Sequence, residues 1–210
     1  MNLPLATSEK RSLLKKPFDF ELLTCKMNLS VFEEFFTCCV GSWTTERTYH
    51  YLTQNEVERS RTKFDIAPLD LDRKTQVLAD NEYIGASELE TLPGFNLGFY
   101  TISEKGEEVS QNLNLLFVPK YEDNANLEGD YLRDRAYEEA RPIVSHFRFN
   151  RATRELLMTT KYTRTVSVDS ITLINPDLRI RKIINYFRPE EGKPLEKVAL
   201  VGFGVELKVS

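Results

Sequence analysis

Hydrophobic residues recur along this chain on two different periods. In SVFEEFFTCCV, Phe32, Phe35, Phe36 and Cys39 fall at helical spacing, with Ser30 placed as N-cap and Glu33 as its capping-box partner. The pattern predicts a short amphipathic helix that ends at Gly41. From Trp43 onward a period of two takes over, carried by β-branched and aromatic residues, and predicts strands. In ALVGFGVELKV, Val201, Phe203, Val205, Leu207 and Val209 share one face, and Gly202, Gly204, Glu206 and Lys208 share the other. In IVSHFRFN, Phe147 and Phe149 oppose His146 and Arg148. A polar turn at RATRELL leads into LLMTTKYTRTVSV and DSITLINPDLRIRKIINYF, with Asn175-Pro176-Asp177 as the break between two strands. Residues 54–98 are less periodic, and ASELETLPG reads as a loop or a turn of helix.

Consecutive strands with tight turns, and no stretch of about 12 residues for a crossover helix, specify an antiparallel meander rather than a parallel α/β sheet. A meander has edges. Closing it into a barrel of about eight to ten strands removes them and encloses room for one small ligand. The expected fold class is therefore all-β, a lipocalin-like or fatty-acid-binding-protein-like antiparallel barrel whose short N-terminal helix plugs one end. Gly41-Ser42-Trp43 suits this plan, because lipocalin-like barrels carry a Gly-x-Trp on the first strand at the closed end, the indole lying under an arginine from a late strand. Arg179 and Arg181 are the candidates for that arginine. At 210 residues the chain fits one such domain, with residues 1–29 read as a tail and 30–210 as the barrel.

Composition and charge then remove other classes. A net charge of −4 lacks the dominant basic face that nucleic-acid coating requires. No apolar run approaches the roughly 18 residues of a membrane span, and MNLPLATSEKRSLLKK lacks the apolar core of a secretory signal. That opening reads as a tail, with an organelle-targeting remnant as the other reading. Cys25, Cys38 and Cys39 leave at least one thiol unpaired, and adjacent cysteines bridge only with strain, which points to a reducing, intracellular compartment. There is no Ser-His-Asp order with supporting glycines, no phosphate-cradling loop and no metal-ligand spacing, so hydrolase, kinase and zinc readings fail and no metal is expected.

The chemistry-bearing stretch is YLRDRAYEEARPIVSHFRF, which gathers Arg133, Asp134, Glu138, Glu139, His146 and Arg148 on two strands joined at Pro142. One reading is a solvated, salt-bridged surface. The other turns its members inward onto a ligand with acidic groups and ring N–H groups, since arginine grips carboxylates bidentately and a carboxylate exchanges protons with a polar heterocycle.

Three blocks read together resemble the S-type phycobiliprotein lyases, the CpcS/CpeS group. GSWTTERTYHYL is similar to the family's Gly-x-Trp-x-x-x-Arg-Thr-x-His-x-Leu through Gly41, Trp43, Arg47, Thr48, His50 and Leu52. YLRDRAYEEA is similar to Arg-Asp-x-x-Tyr through Arg133, Asp134 and Tyr137, and INPDLRIRKI to Pro-x-Leu-Arg-x-Arg through Pro176, Leu178, Arg179 and Arg181. The resemblance covers roughly residues 30 to 208. Two departures stand out: Lys161-Tyr162-Thr163 lacks the family's acidic residue after the tyrosine, and the family's arginine after the Pro-containing turn falls at His146 or Arg148.

The resemblance implies a lyase that binds an open-chain tetrapyrrole, phycoerythrobilin or phycocyanobilin, as substrate rather than as tightly bound cofactor. It would attach the pigment by a thioether bond to a cysteine of an apo-phycobiliprotein β subunit, in cyanobacterial cytoplasm or plastid stroma. It leaves homodimerisation open and implies neither nucleic acid nor membrane as partner. For the ligand's propionates the expected cation is Arg148, with His146 in reserve; for its pyrrole nitrogens the expected catalytic carboxylate is Asp134 or Glu138. Trp43, Arg47, Tyr162 and Arg179 complete the expected bilin-binding set, Trp43 either closing the barrel or lining the pocket. A non-catalytic carrier of fatty acid, or a barrel without a pocket that serves assembly, would use the same fold.

Overall fold

The computed structural model describes residues 31–86, 88–134, 139, 141 and 143–209. The expectations for the tail, Cys25, the Ser30 cap, Tyr137 and Glu138 fall outside them. Helix α1 (residues 31–39) leads into β1 (Gly41–Tyr51) and β2 (Glu56–Pro68). Helix α2 (Leu71–Asp80) precedes β3 (Gly94–Ser103), β4 (Glu108–Glu122), β5 (Asn126–Arg133) and β6 (Ile143–Asn150). Strands β7 (Glu155–Lys161), β8 (Thr165–Asn175), β9 (Leu178–Phe187) and β10 (Val198–Lys208) complete the chain. Each strand pairs antiparallel with its neighbours in sequence, and β1 closes the ring on β10. This is the expected antiparallel, lipocalin-like barrel. Closure leaves no strand edge to attract another chain.

The amphipathic pattern of α1 explains how one end is sealed. Phe32 stacks on Phe147 with centroids 5.3 Å apart, Phe35 meets Phe149 at 5.2 Å and Phe36 meets Phe117 at 4.9 Å. All three helix phenylalanines are buried. The helix therefore fills the barrel end with offset and edge-on aromatic contacts, each contributing beyond its burial alone.

The aperiodic stretch between β2 and β3 hides a helix that the hydrophobic pattern alone misses. Asp70 caps α2 by accepting from the Arg73 amide at 2.8 Å. Val77 is buried against Leu116, Val118 and Leu132, which face outward from β4 and β5. Those strand positions are buried on both faces, so Leu115-Leu116-Phe117-Val118 runs apolar without alternation.

Strand β10 reverses the rule that the apolar face looks inward. Phe203 and Leu207 are 49% and 51% exposed, while Gly202, Gly204 and Glu206 are buried inside. The interior there is polar and needs space. A Cβ on Gly202 would lie 2.8 Å from the Tyr49 ring, and one on Gly204 would lie 2.9 Å from Cγ of Arg47. The two glycines let those large β1 side chains lie flat across the neighbouring strand.

Candidate functional site

The closed end is built around Trp43, which is buried and donates from Nε1 to the Cys39 carbonyl at 2.8 Å, tying β1 to α1. The guanidinium of Arg179 lies 4.3 Å from the indole centroid, so Arg179 rather than Arg181 is the stacking arginine. Arg179 donates from Nε and Nη2 to one oxygen of Glu206, Oε2, at 3.0 and 2.7 Å, and Arg47 reaches the other oxygen of the same carboxylate at 3.2 Å. Burial alone would raise the Glu206 pKa; the arginines around it, Arg179 foremost, outweigh burial and hold it below the ordinary glutamate range.

Above this seal is a cavity of about 580 Å³, within the roughly 300–1,000 Å³ of small-molecule sites. Its floor is apolar, formed by Phe35, Phe64, Phe95, Phe117, Leu156 and Met158. Higher on the walls stand Arg47, Arg133, Tyr162, Asp169 and Arg181. Arg181 grips Asp169 bidentately at 2.9 and 2.6 Å across β9 and β8. Burial opposes ionisation of Asp169, and Arg181, with help from Arg133 and Arg47, more than offsets it and keeps the carboxyl below its ordinary range. Arg47 Nε, Ser60 Oγ and Asn185 Oδ1, buried atoms of cavity-lining residues, have no hydrogen-bond partner among the described residues. Unpaired buried polar atoms are costly, and here they gather around the cavity. Cys39 also lines the floor, but burial pushes its thiol pKa up, so it stays protonated and is a poor nucleophile.

The structure brings Arg47, Tyr162 and Arg179 of the expected set to the cavity. Of the other described members, it brings none; Glu138 lies outside the described residues. Trp43 sits beneath the floor against Arg179, outside the cavity lining. His146 and Arg148 project from the outer wall, because Phe147 and Phe149 take the inward positions of β6; His146 pairs there with Glu128 at 3.5 Å. Asp134 turns outward at the end of β5 and accepts from the backbone and side-chain amides of Asn114 at 2.9 and 2.7 Å. The hairpin from Tyr131 to Phe149 therefore contributes Tyr131 and Arg133 to the cavity rather than Asp134, His146 or Arg148. The carboxylate that the structure places on the cavity wall beside Arg181 is Asp169.

Residues 31–209, most of the chain, match the family described as CpeS-like protein. The chain belongs to the CpeS-like family. It is similar to the chromophore lyase CpcS/CpeS 1 of Synechococcus sp. (strain JA-3-3Ab), at 58% identity over 87% of this chain and 98% of that one. A chromophore lyase CpcS/CpeS of Thermosynechococcus vestitus is 24% identical over 72% of this chain and 81% of its own. The S-type phycobiliprotein lyase CpeS from Guillardia theta superposes with a TM-score of 0.68 at 21% identity, covering 91% of this chain and 98% of that structure, and shares the barrel. At the identity shared with the Synechococcus relative, this CpeS-like chain stands in the lyase class. Among the described residues no cluster of His, Cys, Asp or Glu could hold a metal ion, and no helix is long and apolar enough to cross a membrane.

Proposed function

We propose that the cavity binds an open-chain tetrapyrrole and presents it to a cysteine of an apo-phycobiliprotein. The observation that carries this reading is Asp169, an ionised carboxylate on the cavity wall held at a fixed angle by Arg181. A bilin offers that carboxylate a row of pyrrole N–H donors, and it offers the flanking arginines two propionates. A fatty acid offers neither a second anion nor any N–H group, so it would leave Asp169 against an acyl chain, a costly arrangement.

The reaction needs no nucleophile from the lyase. The acceptor thiol adds across the ethylidene double bond of the pigment: the S–C bond forms, the thiol proton ends on the tetrapyrrole, and nothing is oxidised or reduced. The barrel contributes position, which can supply several kcal/mol. Asp169 contributes a counter-charge that favours the protonated, more electrophilic pigment. The cited relatives carry the name chromophore lyase, and attachment through a thioether to a β-subunit cysteine, in cyanobacterial cytoplasm or plastid stroma, is the form of that activity we assign here.

Titration of the protein with phycoerythrobilin or phycocyanobilin should sharpen and red-shift the pigment absorption. An unchanged spectrum with fatty acid bound instead would decide for the carrier reading. Asp169→Asn should retain pigment, shift its band to the blue, and slow transfer to the acceptor by about a hundredfold or more, the usual scale of a lost electrostatic contact to developing charge. Arg148→Gln, on the outer wall, should leave both spectrum and transfer unchanged.

A further inference from the structure

Four guanidinium groups, those of Arg47, Arg133, Arg179 and Arg181, stand in or beneath the cavity, against two interior carboxylates, Asp169 and Glu206. Glu58 and Glu107 lie farther out, toward the solvent at the mouth. Arg179 and Arg47 share Glu206, and Arg181 is matched with Asp169. Arg133 has no ion-pair partner among the described residues. Arg133 shares the field of Asp169 with Arg181, so the interior keeps an excess of positive charge, which a dianionic ligand would cancel.

The surroundings of Arg133 are built rather than incidental. Its Nη1 and Nη2 donate to the Tyr162 hydroxyl, each at 3.0 Å, and its Nε donates to the Tyr131 hydroxyl. The guanidinium carbon sits 5.3 Å from the Tyr131 ring centroid and 5.9 Å from that of Tyr162. Three of the five N–H groups an arginine carries are thus spent on phenol oxygens, and two remain for a ligand. The Tyr131 oxygen accepts from Arg133, which leaves its own proton to donate outward. Of these two, the N–H beside Nε lies on the same edge as the Tyr131 hydroxyl, and together they present two donors to one oxyanion.

We propose that Arg133, Tyr131 and Tyr162 form a carboxylate subsite that holds one propionate of the pigment. Arg47, four strands away round the barrel on β1, also lines the cavity and is the cation assigned to the second propionate. This inference rests on the bilin reading above and adds to it a selectivity: the cavity prefers a tetrapyrrole diacid to its ester. A fatty-acid pocket with the same fold would need only one such site.

The test compares biliverdin as the free diacid with biliverdin dimethyl ester, titrated by absorbance into the full chain and into Arg133→Gln. The parent should bind the diacid more tightly than the ester. Arg133→Gln should lose about tenfold to hundredfold of its affinity for the diacid and little for the ester, the scale of one charge-assisted contact. Equal weakening toward both pigments means that Arg133 only braces the two tyrosines, and the subsite is refuted. Unchanged binding of both refutes it too. A parent protein that binds neither pigment overturns the bilin reading itself, which separates the two failures. Should Arg133→Gln not fold, Tyr131→Phe keeps the ring, and it should weaken the diacid several-fold while sparing the ester; no difference between the pigments overturns the subsite.

Discussion

Trp43→Ala is expected to lower the free energy of unfolding by about 3–5 kcal/mol, the usual loss for a large aromatic truncated inside a core. In a chain of this size that corresponds to a drop in melting temperature on the order of 10 °C. The indole is 1% exposed, stacks near Phe64, carries Arg179 on its face and bonds to the last turn of α1. Removing it opens a void beneath a buried arginine and unties the helix that seals the barrel. Pigment binding should fall together with the melting temperature. A variant that melts like the parent yet binds no pigment would instead place the indole in contact with the ligand.

Glu206→Ala should be about as damaging, roughly 3–5 kcal/mol, because it leaves Arg179 and Arg47 with no opposing charge in an enclosed space. Chemical denaturation of the single variant and of Glu206→Ala with Arg179→Ala tests this: the pair should be less destabilised than the sum of its parts. The same carboxylates set the acid limit of the fold. Glu206 and Asp169 both titrate below their ordinary values of 4.5 and 3.8 in the folded protein. The unfolded chain therefore takes up protons first as the pH drops. Their contribution is complete above those ordinary values and is lost as pH falls through the depressed folded ones. Acid unfolding of the parent should begin in that window, and removal of Glu206 should flatten the curve there.

The barrel was legible because alternation, tight turns and the helical spacing of Phe32, Phe35 and Phe36 all agreed on one architecture. The partners of the closed end were legible too, since a Gly-x-Trp on a first strand limits its arginine to a late one. What alternation does not reveal is which face looks inward. In β6 the apolar residues do, which expels His146 and Arg148; in β10 the polar ones do, which buries Glu206. The interior is partly polar and hollow, so hydrophobicity does not by itself mark the inside. Asp134 escaped because strand ends can turn a side chain out to a neighbour such as Asn114. Asp169 had a signal: a hairpin turning at Asn175-Pro176-Asp177 sets Asp169 opposite Ile183, diagonal to Arg181. Helix α2 carried a cap at Asp70 but too few apolar positions to announce a face.

The ring closes between its first and last strands, where Arg47 and Glu206 meet across 159 residues of chain. Contacts so distant in sequence carry a large loop-closure entropy and slow the approach to the native state. Without β10, strands β1 and β9 have no shared partner and the ring stays open. The guanidiniums of Arg47 and Arg179 then have no Glu206 to share. Closure of the barrel and neutralisation of its buried arginines are therefore one event, completed by the last strand.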